Sequence, residues 1–358
     1  MERVKRRRAS DHTDKRWYSP PLEEGRLRIK KMLRSYLVKR RRGGQKHSER
    51  KTTPAASALV ASQNSLTTQP PLLAVMQGGD YLRSLWLVLV LFACTFSPNA
   101  HAQTKPSRIV STTLVTDEIV AALVDPSRIV AMSQYAADPQ ISNVADVARK
   151  INVVADRDAE RVVRLQPDII LSTRYSKLDL KFLMEKARIP YIELNRFETV
   201  ADIESNIRSV GKALHQEHRA NEVIGEMRRR IATAATGRGW KVLYLAPGDW
   251  TAGTKTSVNE LIRIAGLRNA AAEAGISGNN KISIEQIIQI DPDVVLIGTG
   301  YQRDTDFQKS LEQDPRFSTV KAIRAKRIVA LPSKYVLTTS QFIADGAVEL
   351  SRRINALP

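Results

Sequence analysis

The chain has 358 residues, with 56 lysines and arginines against 37 acidic residues, for a formal net charge of +19 at pH 7. The excess is uneven: residues 1–102 hold 20 of the basic and 7 of the acidic residues, +13 of the total, which leaves +6 for residues 103–358. That distribution excludes reading the folded part as a nucleic-acid surface from net charge, and a single cysteine, Cys94, excludes an internal disulfide and a thiolate metal centre.

Residues 1–75 are rich in Arg, Lys, Ser, Thr, Pro and Gln and sustain no hydrophobic period, which predicts disorder. A polybasic arm for nucleic acid or anionic lipid is one reading of this stretch. Sequence upstream of a true start at Met76 is the other, and the residues after Met76 favour it. Arg83 supplies a positive region, Leu85 to Phe96 an apolar one, and Ala100-His-Ala102 a small-x-small cleavage site, together the pattern of a secretory signal peptide over 76–102. The apolar run is about 12 residues, ~18 Å as a helix, short of a ~30 Å hydrocarbon core. Leu91-Phe-Ala-Cys94 is a weaker lipoprotein box, because bulky Phe92 fits poorly there. Export to the periplasm, with a mature chain starting near Gln103, is the expectation.

Residues 106–215 read as a first α/β lobe. Strands are expected at 108–110, 128–132, 169–171 and 189–194, and helices at 116–124, 158–166 and 178–187. Residues 199–236 read as a long helical stretch weakened near Gly211, with its later, charged part (216–238) a solvent-exposed helix bridging two lobes. Residues 240–358 read as a second α/β lobe: strands at 241–245, 294–297 and 327–331, and helices at 257–265, 283–290, 306–313, 317–323 and 340–356.

One block occurs twice. Residues 158–171 (DAERVVRLQPDIIL) return as 283–296 (SIEQIIQIDPDVVL). Each copy has a helix-starting residue, a glutamate in the first turn (Glu160, Glu285), an apolar helix face, Pro-Asp, and an unbroken aliphatic run. The residue before proline leaves the helical region, so the helices should end near Gln166 and Asp291. Aliphatic runs without alternation suit strands buried on both faces of a parallel sheet. A spacing of 125 residues points to two similar lobes rather than a solenoid. The fold class is therefore α/β: two Rossmann-like lobes with parallel sheets, joined by one long bridging helix.

No nucleophile elbow, phosphate loop, dinucleotide fingerprint or zinc-protease motif appears. His215 and His218, the only histidines past the leader, could share a helical face, but their charged neighbours suit a solvated surface better than a metal site. This scarcity argues for a binding protein over an enzyme, and no cofactor is expected.

Several stretches together resemble the substrate-binding proteins of ATP-driven importers that take up iron–siderophores, haem and vitamin B12. They are Arg108-Ile-Val-Ser111 with Thr116-Asp-Glu-Ile119, Arg128-Ile-Val130, the two repeated blocks, Gly253 to Leu261, Gly266 to Asn269, and Arg327-Ile-Val329. The resemblance covers 106–358. It implies a ligand held between two lobes, a monomer working with an ABC permease dimer and its ATPase, and one acidic residue per lobe docking on that permease: here Glu160 and Glu285. Read from the residues alone, each glutamate favours its helix dipole.

Ligands of such sheets bind at the carboxyl ends of the strands. The loops expected there offer Thr112, Thr113, Tyr135, Arg174 and Tyr175 in the first lobe, and Trp250, Tyr301, Lys334 and Tyr335 in the second. Aromatic rings beside cations suit a flat or aryl-bearing anionic chelate of iron or cobalt. Haem binders of the family often carry an axial tyrosine just before the first glutamate block. Residues 147–152 have none here, and Arg149 and Lys150 suit an anionic ferric siderophore better. A corrinoid ranks second and haem is the alternative within the family.

Overall fold

The computed structural model describes residues 105–151, 154–155, 159–175, 178–235, 238–300 and 306–358. The predicted arm and signal peptide lie outside them, as does Tyr301. In the first lobe the strands are β1 (Ile109–Ser111), β2 (Ile129–Ala131), β3 (Ile169–Thr173) and β4 (Tyr191–Leu194), and the helices α1 (Leu114–Leu123), α2 (Ala145–Ile151), α3 (Ala159–Arg164) and α4 (Leu178–Ala187). All pairings are parallel, in the order β2-β1-β3-β4. Next come two helices, α5 (Val200–Ala213) and α6 (Glu217–Ala232). The second lobe begins with β5 (Lys241–Leu245), β6 (Trp250–Ala252), α7 (Ser257–Ile264), β7 (Arg268–Asn269), α8 (Ala270–Glu273) and β8 (Asn279–Lys281). It continues with α9 (Ile284–Ile290), β9 (Val294–Thr299), α10 (Phe307–Gln313), α11 (Lys321–Arg324), β10 (Ile328–Pro332), α12 (Ser333–Val336) and α13 (Ile343–Asn355). Its parallel sheet runs β7-β5-β9-β10. Strand for strand this is the topology of the first lobe, with β6 and β8 added as an antiparallel ribbon.

The repeated block explains the match. Helices α3 and α9 stop just before the prolines, and the residues preceding those prolines, Gln166 and Asp291, turn left-handed at φ 51° and 42°. The aspartate after each proline then clamps the start of its lobe's first strand. Asp168 accepts hydrogen bonds from the Ser107 and Arg108 amides, both at 3.0 Å, and Asp293 accepts one from the Lys241 amide at 2.9 Å. The basic side chains reach back to the helix ends. Arg108 donates to the Leu165 and Gln166 carbonyls, and Lys241 to the Ile290 carbonyl. These carbonyls have no partner within their own helix, and a cation is the favoured group there. β3 is buried throughout and β9 along Val294–Ile297, as expected for sheets covered on both faces.

The helical stretch departs from expectation. The break falls at Leu214–Gln216, where His215 takes φ 54°, and not at Gly211. Gly211 lies inside α5, where a Cβ would come within 2.6 Å of the Ala220 Cβ, so its missing side chain lets α5 and α6 approach closely. The histidines consequently do not share a helix face. Helix α6 is also less exposed than its charge suggests: Ala220, Val223, Ile224 and Met227 form a buried stripe at helical spacing. That stripe belongs to a core shared by both lobes, with Ile109, Ile119 and Ile207 on one side and Val242, Leu261 and Leu350 on the other. Each of these buried valine, leucine, isoleucine and methionine side chains stabilises the fold by about 1.5–3 kcal/mol.

Two of the helices expected in the second lobe have different bounds. The helix expected at 317–323 is a 3₁₀ turn at Pro315–Phe317, capped by the Asp314 carboxylate on the Arg316 amide, followed by α11. The last helix starts at Ile343 and not at Ser340, because Ser340 is engaged with the first lobe through Glu118.

Candidate ligand-binding cleft

The two lobes touch at the carboxyl ends of their sheets. Asn143, in the connection after β2, donates from Nδ2 to the Lys334 carbonyl at 3.0 Å. Gln140 abuts Gly300, the residue after β9. The loops that sequence reasoning singled out follow the carboxyl ends of the sheet strands.

Thr112 follows β1 and is half-buried, its hydroxyl donating to the Leu171 carbonyl and, at 2.8 Å, to Ser172 Oγ. Thr113 caps α1 through reciprocal bonding with Thr116. Both hydroxyls are thus occupied in shaping the end of β1. Tyr135 is exposed after β2. Arg174 and Tyr175 follow β3. The guanidinium lies 5.0 Å from the tyrosine ring centroid and donates to its hydroxyl at 2.8 Å, while Phe197 approaches the same ring at 6.1 Å. In the second lobe Trp250 is exposed after β5, with the Lys281 ammonium 5.4 Å from its ring. Lys334 lies 5.2 Å from the Tyr335 ring. These two residues sit in the short helix α12 rather than in a loop, and Tyr335 is half-buried against the shared core. Arg149 stands apart from this group. It is in the last turn of α2, paired with Asp146 at 2.6 Å.

A single exposed apolar side chain is ordinary, whereas a clustering of several in one region is informative. Among the described residues seven large ones are exposed: Tyr135, Val154, Tyr175, Phe182, Trp250, Ile288 and Leu337. Four of these, Tyr135, Tyr175, Trp250 and Leu337, lie just past the carboxyl ends of sheet strands. The helical side of the molecule offers a cavity of about 380 Å³, but the Arg228 and Arg263 that line it are already bonded to Glu204 and Glu260.

Residues 109–335 match the family of periplasmic binding proteins. The chain belongs to that family. Among relatives of this periplasmic binding protein is the uncharacterized ABC transporter substrate-binding lipoprotein YvrC of Bacillus subtilis (strain 168). It is 22% identical over 263 residues, 70% of this chain and 80% of that one. A cobalamin-binding protein of Halobacterium salinarum is 25% identical over 231 residues, 59% of this chain and 61% of that one. The fold is also that of the periplasmic haem-binding protein RhuT from Roseiflexus sp. RS-1, with a TM-score of 0.61 at 24% identity, covering 70% of this chain and 98% of that one.

In this periplasmic binding protein two adjacent carboxylates of α1, Asp117 and Glu118, are both fully buried. Asp117 accepts from the Ser133 amide and hydroxyl at the end of β2. Glu118 reaches the second lobe. Sequence reasoning gave neither a role, since a helix-start Asp-Glu pair carries no sign of burial. It also missed Lys281 and Phe197, whose partners Trp250 and Tyr175 are distant in the chain.

Burial pushes the Asp117 carboxyl up to about 6 from 3.8, against the hydrogen bonds that favour its charge. The folded chain therefore holds this proton more tightly than the unfolded chain. The group's stabilisation is full below 3.8 and is lost as pH rises to about 6, a change of about 3 kcal/mol at ~1.4 kcal/mol per unit. Asp117→Asn removes that slope. Between pH 4 and 6 the melting temperature of the wild type is expected to fall relative to the variant, and the difference should level off above pH 6.5. Parallel curves from thermal shift measurements on the two proteins would refute the assignment.

Proposed function

We propose that this protein captures an anionic metal chelate outside the cytoplasm and delivers it to an ABC import permease driven by its ATPase. A ferric siderophore is the first candidate. A corrinoid is the second, favoured by the cobalamin-binding relative. The observation that carries the reading is the set of cation–ring pairs at strand ends, Arg174 with Tyr175, Lys281 with Trp250 and Lys334 with Tyr335. Each offers a flat apolar face beside a positive charge, the chemistry that holds an aryl-bearing or planar anion. Catalysis needs no place in such a protein; the energy enters at the ATPase. Glu160 and Glu285 are proposed to dock on the permease. A signal peptide at 76–102 would supply export, and no helix among the described residues is long and apolar enough to cross a membrane.

The two tryptophans of the second lobe provide the test. Trp250 is exposed past the end of β5, where the ligand is proposed to sit, whereas Trp240 is flanked by Arg238 and Arg327 at 4.5 and 4.7 Å, beside the start of β5. Titration with a ferric catecholate siderophore, cyanocobalamin or haem is expected to quench fluorescence for one of them. Trp250→Phe should abolish most of that quenching and Trp240→Phe should preserve it. Haem binding with a shifted Soret band would move the ligand to the family alternative. No quenching and no thermal shift with any of the three would overturn the reading.

A further inference from the structure

Glu118 lies in α1 of the first lobe, 1% exposed, and the bonds of its two oxygens divide between the lobes. Oε1 accepts from the Asn143 amide at 3.1 Å and from Asn143 Nδ2 at 2.7 Å, within its own lobe. Oε2 accepts from Thr338 Oγ1 at 3.1 Å and Ser340 Oγ at 2.6 Å, both in the second-lobe segment between α12 and α13. The Glu118 carbonyl accepts from Gln341 Nε2 at 2.8 Å in the same segment. Asn143 closes the ring by donating to the Lys334 carbonyl. Burial raises the Glu118 carboxyl above its ordinary value, opposed by these hydrogen bonds. A buried carboxylate is costly unless its lone pairs are filled, so the arrangement holds only while the two lobes keep this distance.

We propose that Glu118 is the positioning residue that fixes the width of the cleft, by tying the segment carrying Lys334, Tyr335 and Leu337 to the first lobe. The residues that make the tie have no regular structure of their own to hold them on this side: residues 337–342, directly after the helix α12 that carries Lys334 and Tyr335, lie outside any helix or strand. The reading rests on the proposed function only for its consequence, that ligand grip depends on this spacing. The spacing itself is a property of the protein alone. A glutamine at 118 can accept from Asn143 with its oxygen and donate to the Thr338 and Ser340 hydroxyls with its nitrogen, so it preserves the tie. A leucine fills the volume and cannot.

The test uses the full chain in a Cys94→Ser background. Spin labels go on the exposed Glu185→Cys and Lys309→Cys, one in each lobe, with no ligand added. Electron–electron resonance is expected to give one narrow distance distribution for the parent and for Glu118→Gln, and a broader, shifted one for Glu118→Leu. Hydrogen exchange of residues 337–342 should accelerate at least tenfold in Glu118→Leu alone. If Glu118→Leu fails to fold, Thr338→Val with Ser340→Ala removes the tie from the other lobe and should broaden the distances in the same way. Distances and exchange unchanged in both the leucine variant and the double variant would overturn the proposal. If the distances respond but none of ferric catecholate, cyanocobalamin and haem binds the parent, the positioning role stands and the proposed function falls.

Discussion

Glu160→Arg combined with Glu285→Arg is expected to abolish uptake of the chelate by whole cells, while the purified protein keeps its ligand affinity. The two glutamates occupy equivalent places in topologically identical lobes: each lies in the first turn of the helix that leads into the third strand, α3 into β3 and α9 into β9. A helix leading into a parallel strand runs back against it and starts at the sheet's carboxyl edge, so both residues stand at the carboxyl edges of their sheets. Glu285 is exposed, and its carboxyl is held below the ordinary carboxylate range by the Ser283 hydroxyl, helped by nearby Arg316. Glu160 is half-buried, with Arg164 at 3.5 Å. An exposed ion pair contributes only ~0–1 kcal/mol, so two such contacts, if made as proposed, would set register on a permease more than they would add affinity. Reversal does more than remove them, because like charges facing each other in an interface cost several kcal/mol. The fold should survive, since an arginine in a first helical turn costs about 0.3–1 kcal/mol through the helix dipole. Uptake of labelled chelate in cells and calorimetric titration of the purified variant separate the two effects. Loss of ligand binding in step with uptake would remove the docking assignment, and so would normal uptake by the double variant.

Much of this architecture was legible because it is built from local chemistry. The aliphatic runs at 169–171 and 294–297 announced strands buried on both faces, and they lie third in sheet order in their lobes. Pro167 and Pro292 announced the helix ends. The repeat even foreshadowed the shared topology, although not the clamp that Asp168 and Asp293 place on the first strand of each lobe, since a hydrogen bond to a backbone amide 60 residues away leaves no mark on a sequence. The exposed aromatics at the strand ends were legible for the same reason: strand ends could be located, and loop residues there were few.

What stayed hidden depends on pairing across distance. The ribbon β6–β8 joins Trp250 to Lys281 and Ala252 to Asn279, but residues 279–281 are polar and exposed, so no alternation betrays a strand. Without the ribbon, Lys281 could not be assigned to Trp250. Glu118 looked like an ordinary helix-start acid, and its partners Thr338 and Ser340 lie 220 and 222 residues away. The bridge helix was misjudged in the opposite sense. Its charges are real, but α6 still buries one stripe, because a helix touching both lobes needs an apolar seam wherever it meets them.

The ribbon also sets the second large effect. Gly253→Ala is expected to lower stability by about 3 kcal/mol or more, through a backbone clash that no side chain can relieve. A Cβ at 253 would fall 1.9 Å from the Ile276 carbonyl oxygen and 2.4 Å from its carbon. The two segments cannot simply part, because hydrogen bonds on both sides hold them: the Gly253 amide donates to the Gly278 carbonyl at 2.9 Å, the Thr254 amide to Ile276 at 2.9 Å, and the Gly278 amide to Thr254 at 2.7 Å. The Gly253 carbonyl also accepts from Thr256 Oγ1, the residue that caps α7. Relief therefore requires moving β8 or the start of α7. At roughly 2–4 °C per kcal/mol for a domain of this size, the melting temperature should drop by about 6–12 °C. The local consequence is the informative one. Trp250 and Lys281 face each other through this ribbon, so its displacement should also reduce the ligand-dependent quenching of Trp250 at temperatures where the variant is still folded. Gly225→Ala is the matched control. Gly225 lies within helix α6, where the nearest atom to an added Cβ is a flexible Arg229 nitrogen at 3.5 Å. That substitution should raise stability by about 0.5–1 kcal/mol from helix propensity alone and leave quenching untouched. A Gly253→Ala variant melting within about 2 °C of the wild type would show that the close approach of residues 253 and 276 is not maintained in solution.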